Sequence, residues 1–211
     1  MLSAIFKLLA AATAAFAIPA SPRLNAALVP QAVPGPWCKN FGGGGFDVAF
    51  NFSLSAFNST LDLEGEPLVF GQAGAVDGAE FKVFSTFASF PFNDFPTLSL
   101  NQGILKPDGD VSASNSGVAD GTEPTFVFTT LDLPPPAQIW CGVASTSAHG
   151  GGTGNPQLAV NGDVDSFSLC RTGDQPTAQV NVVYKATADN FGAYIFDSCF
   201  PVKLEMVGLL D

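Results

Sequence analysis

From residue 41 to residue 207 the apolar residues come in short runs with a period of two, and no window carries the i, i+3, i+4, i+7 stripe of a surface helix. The clearest run is Phe46, Val48, Phe50, Phe52 and Leu54, alternating with Asp47, Ala49, Asn51 and Ser53. Such alternation is a strand with one face buried, which turns the five apolar residues inward and Asn51 outward. Shorter strands are expected at 68–70, 80–85, 97–100, 125–131, 139–143, 157–160, 166–170, 179–185, 193–196 and 202–207. Asp77-Gly78, Asp108-Gly109 and Asn161-Gly162 stand between them as turn pairs. Ten to twelve short antiparallel strands without a repeat period predict one all-β domain, a sandwich or a barrel, and disfavour propellers and solenoids. With 20 Phe against 2 Tyr and 2 Trp, the core of that domain is expected to be Phe-lined. Each buried ring removes about 150–250 Å² from water. Phe50, Phe52, Phe126, Phe128 and Phe167 are the rings expected inside.

The N-terminal residues point to a compartment. A single Lys7 precedes an apolar, Ala-rich run over 8–16, and Ala15-Phe16-Ala17 places small residues at the −3 and −1 positions of a signal-peptidase site. The run is too short to span the ~30 Å core of a bilayer, so residues 1–17 are expected to be a signal peptide. Residues 18–36 hold Pro19, Pro22, Pro30, Pro34 and Pro36, which exclude a helix or central strand and predict an extended lead. The all-β domain is then 37–211. Its four cysteines, Cys38, Cys141, Cys170 and Cys199, are an even number with no C-x₂-C spacing, which favours two disulfides over a metal site. Three pairings are open. Cys38–Cys141 with Cys170–Cys199 is favoured, because the latter closes one of the two shortest loops. Asn51-Phe52-Ser53 and Asn58-Ser59-Thr60 are acceptor sequons, so Asn51 and Asn58 are candidate glycosylation sites.

Charge narrows the partners. Charged residues make up 13% of the chain, against a usual share of about 25%. The net charge is −11, and removal of Lys7 with the signal segment makes it more negative still. A surface of this sign repels phosphate backbones and anionic membranes, and no Lys/Arg patch offers a nucleic-acid footprint. Cell-wall polysaccharide is the partner expected instead. Oligomeric state is left open.

The motifs that carry chemistry are thin. His149-Gly150-Gly151-Gly152 has the look of an oxyanion-hole loop, but there is no G-x-S-x-G and His149 is the only histidine, so the triad lacks its parts. The stretch reads as a loop. The glycine run 42–45 lacks the Lys-Ser or Lys-Thr of a phosphate cradle. Asp108, Asp110 and Ser112 open like a calcium loop, yet Ala113 and Ala119 stand where its Gly and bidentate Glu belong. No metal or cofactor is expected. The acidic sets Asp62, Glu64 and Glu66, Asp108 and Asp110, and Asp163 and Asp165 are the only material for glycoside hydrolysis. All sit where turns are expected, where Asp bonds its own backbone.

The last third resembles the C-terminal cysteine domain of fungal PIR-type cell-wall mannoproteins. The similarity is carried by Cys199-Phe200-Pro201-Val202-Lys203-Leu204, like that family's C-x-P-V-x-L ending. Asn161-Gly162, Phe167 with Cys170, and Asn181-Val182-Val183-Tyr184 precede it in the family's order, and Leu100-Asn101-Gln102-Gly103-Ile104-Leu105 resembles its L-x-x-G-x-L start. The glucan-linking repeats and the dibasic processing site are absent. The resemblance therefore implies a shared fold and wall residence more than shared attachment chemistry. Together these features predict a secreted, non-catalytic, wall-associated or structural protein, not an enzyme. The alternatives are a carbohydrate-binding module or secreted effector, stacking sugar on Trp37, Trp140 or an exposed Phe, and a hydrolase using an acid pair.

Overall fold

Thirteen strands run through the described residues, which in this computed structural model are 33–58, 65–109, 111–145 and 154–209. They are β1 (Gly45–Phe46), β2 (Val48–Phe57), β3 (Glu66–Val76), β4 (Ala79–Thr86), β5 (Leu98–Asn101), β6 (Ile104–Pro107) and β7 (Ala113–Ser114). β8 (Thr125–Thr129), β9 (Trp140–Val143), β10 (Gln157–Val160), β11 (Phe167–Arg171), β12 (Val180–Tyr184) and β13 (Phe200–Val207) follow. The chain is all-β, and the only helical pieces described are three short 3-10 turns. The segments expected to be a signal peptide and most of the Pro-rich lead fall outside the described residues, as do Ser59, Thr60, Asp62, Glu64, Asp110 and 146–153.

Six strands close on themselves. β2, β3, β4, β12, β11 and β13 form an antiparallel ring, because β13 pairs with β2 as well as with β11. The remaining strands extend outward: β10, β9 and β1 from β13, β5 and β6 from β2, and β8 and β7 from β4. β13 is the keystone. Val202, Leu204 and Met206 alternate into the core at 4%, 0% and 0% exposure, while Lys203 and Glu205 pair Phe57 and Ser55 across β2. The C-x-P-V-x-L ending is therefore a barrel strand, and its apolar residues are there to be buried.

The turn chemistry falls where the glycine pairs put it. Asp77-Gly78 joins β3 to β4 with Gly78 at φ 79°, and Val160 and Asp163 bridge across Asn161 (φ 54°) and Gly162 (φ 79°). Gln102 (φ 50°) and Gly103 (φ 77°) make a two-residue hairpin between β5 and β6, in the conformation that suits the strands' twist. Gly103 has a second duty. A Cβ there would lie 2.7 Å from the Trp37 ring, so only glycine lets the indole lie against the hairpin.

The core is aromatic, as its composition requires. Phe70 meets Phe84, Phe126 and Phe128 with ring centroids 5.1–5.3 Å apart, and Phe95 caps the cluster 5.0 Å from Phe128. Phe52, Phe126 and Phe167 are fully buried and Phe128 nearly so. Two disulfides staple this frame. Cys38–Cys141 ties the chain before β1 to β9, and Cys170–Cys199 ties β11 to the turn before β13. The pairing is the favoured one.

Three expectations about strands are corrected. Phe50 and Val48 face solvent at 56% and 46% exposure instead of joining the core. Asn51 takes a left-handed backbone (φ 57°) and inserts one extra residue, so Ala49 pairs Leu100 while Phe52 pairs Leu98. A bulge of one residue exchanges the two faces of a strand. Ala49 is therefore inward before it, and Phe52 and Leu54 after it. Residues 193–196 are not a strand either. Tyr194 buries its ring and satisfies its hydroxyl on Thr187 and Gly121, and the chain passes into a 3-10 turn over Phe196–Ser198. β8 ends at Thr129, short of residue 131, where the Thr129 hydroxyl turns back to accept the Leu131 N–H.

Candidate functional site

A broad concavity lies where β3, β4 and β8 run beyond the barrel. It holds about 710 Å³ and opens between the β3–β4 hairpin and the chain around Asp94 and Val111. In β4 the even-numbered side chains share the face that carries Phe84, and Lys82 and Glu80 continue that face outward. Register with β8 sets Lys82 opposite Phe126 and Glu80 opposite Phe128. A lysine thus stands at the edge of a phenylalanine cluster. Its side chain is only 11% exposed, and its ammonium is 3.0 Å from the Glu80 carboxylate and 5.5 Å from the Phe128 ring centre. Glu80 is 63% exposed on the solvent side of that pair.

The loop between β4 and β5 supplies the opposite wall. Phe95 is anchored on Phe70 and Phe128, which fixes the neighbouring Asp94, an exposed carboxylate, at the groove. Val76 and the Thr129 hydroxyl complete the rim, with Thr129 donating to the Gly78 carbonyl at 2.6 Å and so holding the hairpin tip. The result is a shallow trough with an aromatic and aliphatic floor, one ammonium, two carboxylates and threonine hydroxyls.

A second hollow of about 620 Å³ sits beside β10 and β13, where Lys203 pairs with Asp165 at 2.9 Å and Asn155 donates to Glu205 at 3.2 Å. Asn58 lies on its wall, donating to the Pro201 carbonyl at 2.8 Å. Asn51 is exposed at the crest of the β2 bulge, open to a glycan for a reason different from simple alternation.

Of the two tryptophans expected as sugar platforms, Trp140 is corrected by its burial. Trp140 is fully buried and donates its indole N–H to Asn115 at 3.2 Å. Trp37 is half-buried, packed against Gly35 and Gly103, and its N–H is taken by Asp47 at 3.1 Å. The same Asp47 oxygen accepts the Gly35 N–H, so the end of the Pro-rich lead is already fastened to the domain.

The described members of the expected acid sets, Glu66, Asp108, Asp163 and Asp165, are held in structural contacts. Asp163 caps its own turn by accepting the Asp165 N–H at 2.8 Å and lies 3.3 Å from the Tyr184 hydroxyl. Burial raises the Asp163 carboxyl, but hydrogen bonds from Ser166, Asp165 and Tyr184 outweigh it and hold its pKa below the ordinary value. Glu66 accepts the Ala88 N–H, and Asp108 takes the Ser99 hydroxyl. Among the described residues no group of three or more His, Cys, Asp or Glu is placed to hold a metal ion.

One polar cluster was not visible in the sequence. β4 and β12 share a single residue pair, Ser85 with Asn181, and this is the weakest seam of the ring. Side chains reinforce it: Ser85 donates to Asn181 at 2.6 Å, and Gln179 grips both the N–H and the carbonyl of Gln72 at 3.0 and 2.8 Å. Asn181 donates in turn to Glu123 at 2.7 Å. Burial pushes the Glu123 carboxyl above its ordinary range, and the bond from Asn181 opposes but does not cancel this. Gly71 leaves room for the clamp, since a Cβ there would overlap Ser85 and Gln179.

Fold and stapling define the class: a disulfide-bonded, all-β protein built on a six-stranded closed barrel with outer strands. No family model, curated protein or solved structure matches the chain.

Proposed function

We propose that this is a secreted, non-catalytic protein of the fungal wall, and that it associates with neutral polysaccharide through the groove on β3, β4 and β8. The observation that carries this reading is the juxtaposition of Phe95 and Phe128 with Lys82, Glu80 and Asp94 in one open trough. A sugar ring has an apolar face and an equatorial belt of hydroxyls that both donate and accept. The half-buried Phe95 ring suits the face, carboxylates accept from the hydroxyls, and an ammonium donates to them. Two carboxylates against one ammonium leave the groove negative, which disfavours an anionic polymer. The open shape suits a chain that passes through.

Secretion is supported by the N-terminal segment and by the two disulfides, which are compatible with an oxidising compartment. The PIR-like ending adds wall residence to the reading. The non-catalytic part rests on how the acids are used. Glu80 is engaged by Lys82, Asp163 is held ionised within a turn, and Glu123, raised by burial, belongs to the β4–β12 seam instead of the groove lining. Retention is non-covalent, because all four cysteines are used in the two intrachain disulfides. The test is release from isolated walls: detergent without reductant should free the protein, and a requirement for glucanase digestion would refute it.

A further inference from the structure

Phe191 is the most exposed large hydrophobic residue of the described chain, at 102% of its reference area. Its backbone lies in the left-handed region at φ 53°, which a bulky side chain rarely adopts. The loop that displays it is firmly built. The Tyr194 hydroxyl accepts the Thr187 N–H at 2.9 Å and lies 3.2 Å from the Gly121 carbonyl. Asn190 accepts the Gly192 N–H at 2.9 Å and donates to the Thr187 carbonyl at 3.1 Å, and Cys170–Cys199 closes the base. Nothing in the fold needs a ring held outward at such cost, and strain kept in a fixed loop points to use. Asp189 and Asp197, both exposed, accompany the ring on this loop and the turn after it.

The chain also carries a receptacle for such a knob. Ile104, Ala113, Leu133 and Pro136 line an apolar pocket of about 240 Å³, with the exposed Lys106 at its edge. A cavity of about 150 Å³ already admits benzene, so the volume accepts a phenyl ring. No lining residue of the pocket belongs to the Phe191 loop, and Lys106 makes no ion pair among the described residues. Acid beside the knob and a cation beside the pocket are complementary.

We infer that Phe191 of one copy inserts into this pocket of a second copy, with Asp189 and Asp197 facing Lys106. Knob and pocket are different surfaces, so the contact is heterologous. Each added copy leaves one knob and one pocket unused, and assembly proceeds head to tail. The net charge of −11 opposes association in dilute solution, which confines assembly to high local concentration. A convex, isolated ring favours a concave protein partner over a flat polysaccharide.

The test is sedimentation velocity of the full chain over a concentration series. Wild type should show a weight-average mass that climbs past twice the monomer. Phe191→Ala and Leu133→Asp should each remain monomeric, and an equimolar mixture of the two should stop at the dimer, since together they offer one intact knob and one intact pocket. Should Leu133→Asp fail to fold, the exposed Lys106→Glu replaces it, with association weakened at least tenfold. A wild-type chain that stays monomeric at millimolar concentration overturns the inference, as does Phe191→Ala assembling like wild type. Loss of polysaccharide retention in Phe191→Ala with assembly unchanged also overturns it, and assigns the ring to sugar.

Discussion

Phe50 and Phe52 are two residues apart in one strand, and alternation alone makes them equals. The bulge at Asn51 separates them: Phe52 is fully buried and Phe50 is 56% exposed. Phe52→Ala removes a ring from the centre of the barrel and leaves a void that close-packed neighbours only partly fill, costing about 3–5 kcal/mol. Phe50→Ala loses less than half of its contact area and leaves no enclosed void. At about 25 cal/mol per Å² of apolar surface, the buried part of the roughly 150–250 Å² of such a ring places that loss near 2 kcal/mol. The difference, about 1–3 kcal/mol, is read from the two midpoints at a common slope. Urea unfolding followed by the fluorescence of buried Trp140 measures both variants on one probe. Equal losses, or a larger loss at Phe50, would refute the bulge and the assignment of faces that follows from it.

Asn51 itself tolerates Gly within about 0.5 kcal/mol, while Val, which resists a left-handed backbone, costs about 1–2 kcal/mol in the same titration. Glu123→Gln keeps an oxygen for the Asn181 N–H and removes a buried charge. A carboxyl whose folded pKa is raised contributes stability that is present below its unfolded pKa and lost as pH rises through the folded value. The substitution should therefore stabilise at pH 7 and give no gain near pH 3; thermal melts across that range check it, and a pH-independent effect contradicts the burial argument. In the chain-entropy model, removing Cys38–Cys141 costs about 4–5 kcal/mol and removing Cys170–Cys199 about 3–4, because the closed loops span 103 and 29 residues. Paired Cys→Ala variants in the same urea assay should keep that order.

Local chemistry was readable and long-range geometry was not. Asp77-Gly78 and Asn161-Gly162 mark their turns because a positive φ is written into the residue type. Alternation over 202–207 identifies β13 because nothing interrupts its period there, and the strand begins two residues earlier. The β2 run fails at one residue: Asn51 can enter the left-handed region, and sequence gives no sign that it does. Trp140 looks like any aromatic until Asn115, 25 residues away, is seen to take its N–H. The groove was invisible for the same reason. Lys82 and Glu80 meet Asp94, Phe95 and Phe128 only after β8 has been laid beside β4, and lysine in an alternating strand reads as solvent-facing. The clamp of Gln179 on Gln72 joins residues 107 apart.

The groove is the central claim, and amide chemical-shift mapping with soluble, neutral wall oligosaccharides tests it most directly. Perturbations should concentrate at Val76, Glu80, Lys82, Asp94, Phe95 and Thr129, weaken in Asp94→Ala, and leave the oligosaccharide's own signals unchanged over days. Shifts centred on the hollow around Lys203 and Asp165, or new reducing-end signals growing with time, would contradict the account.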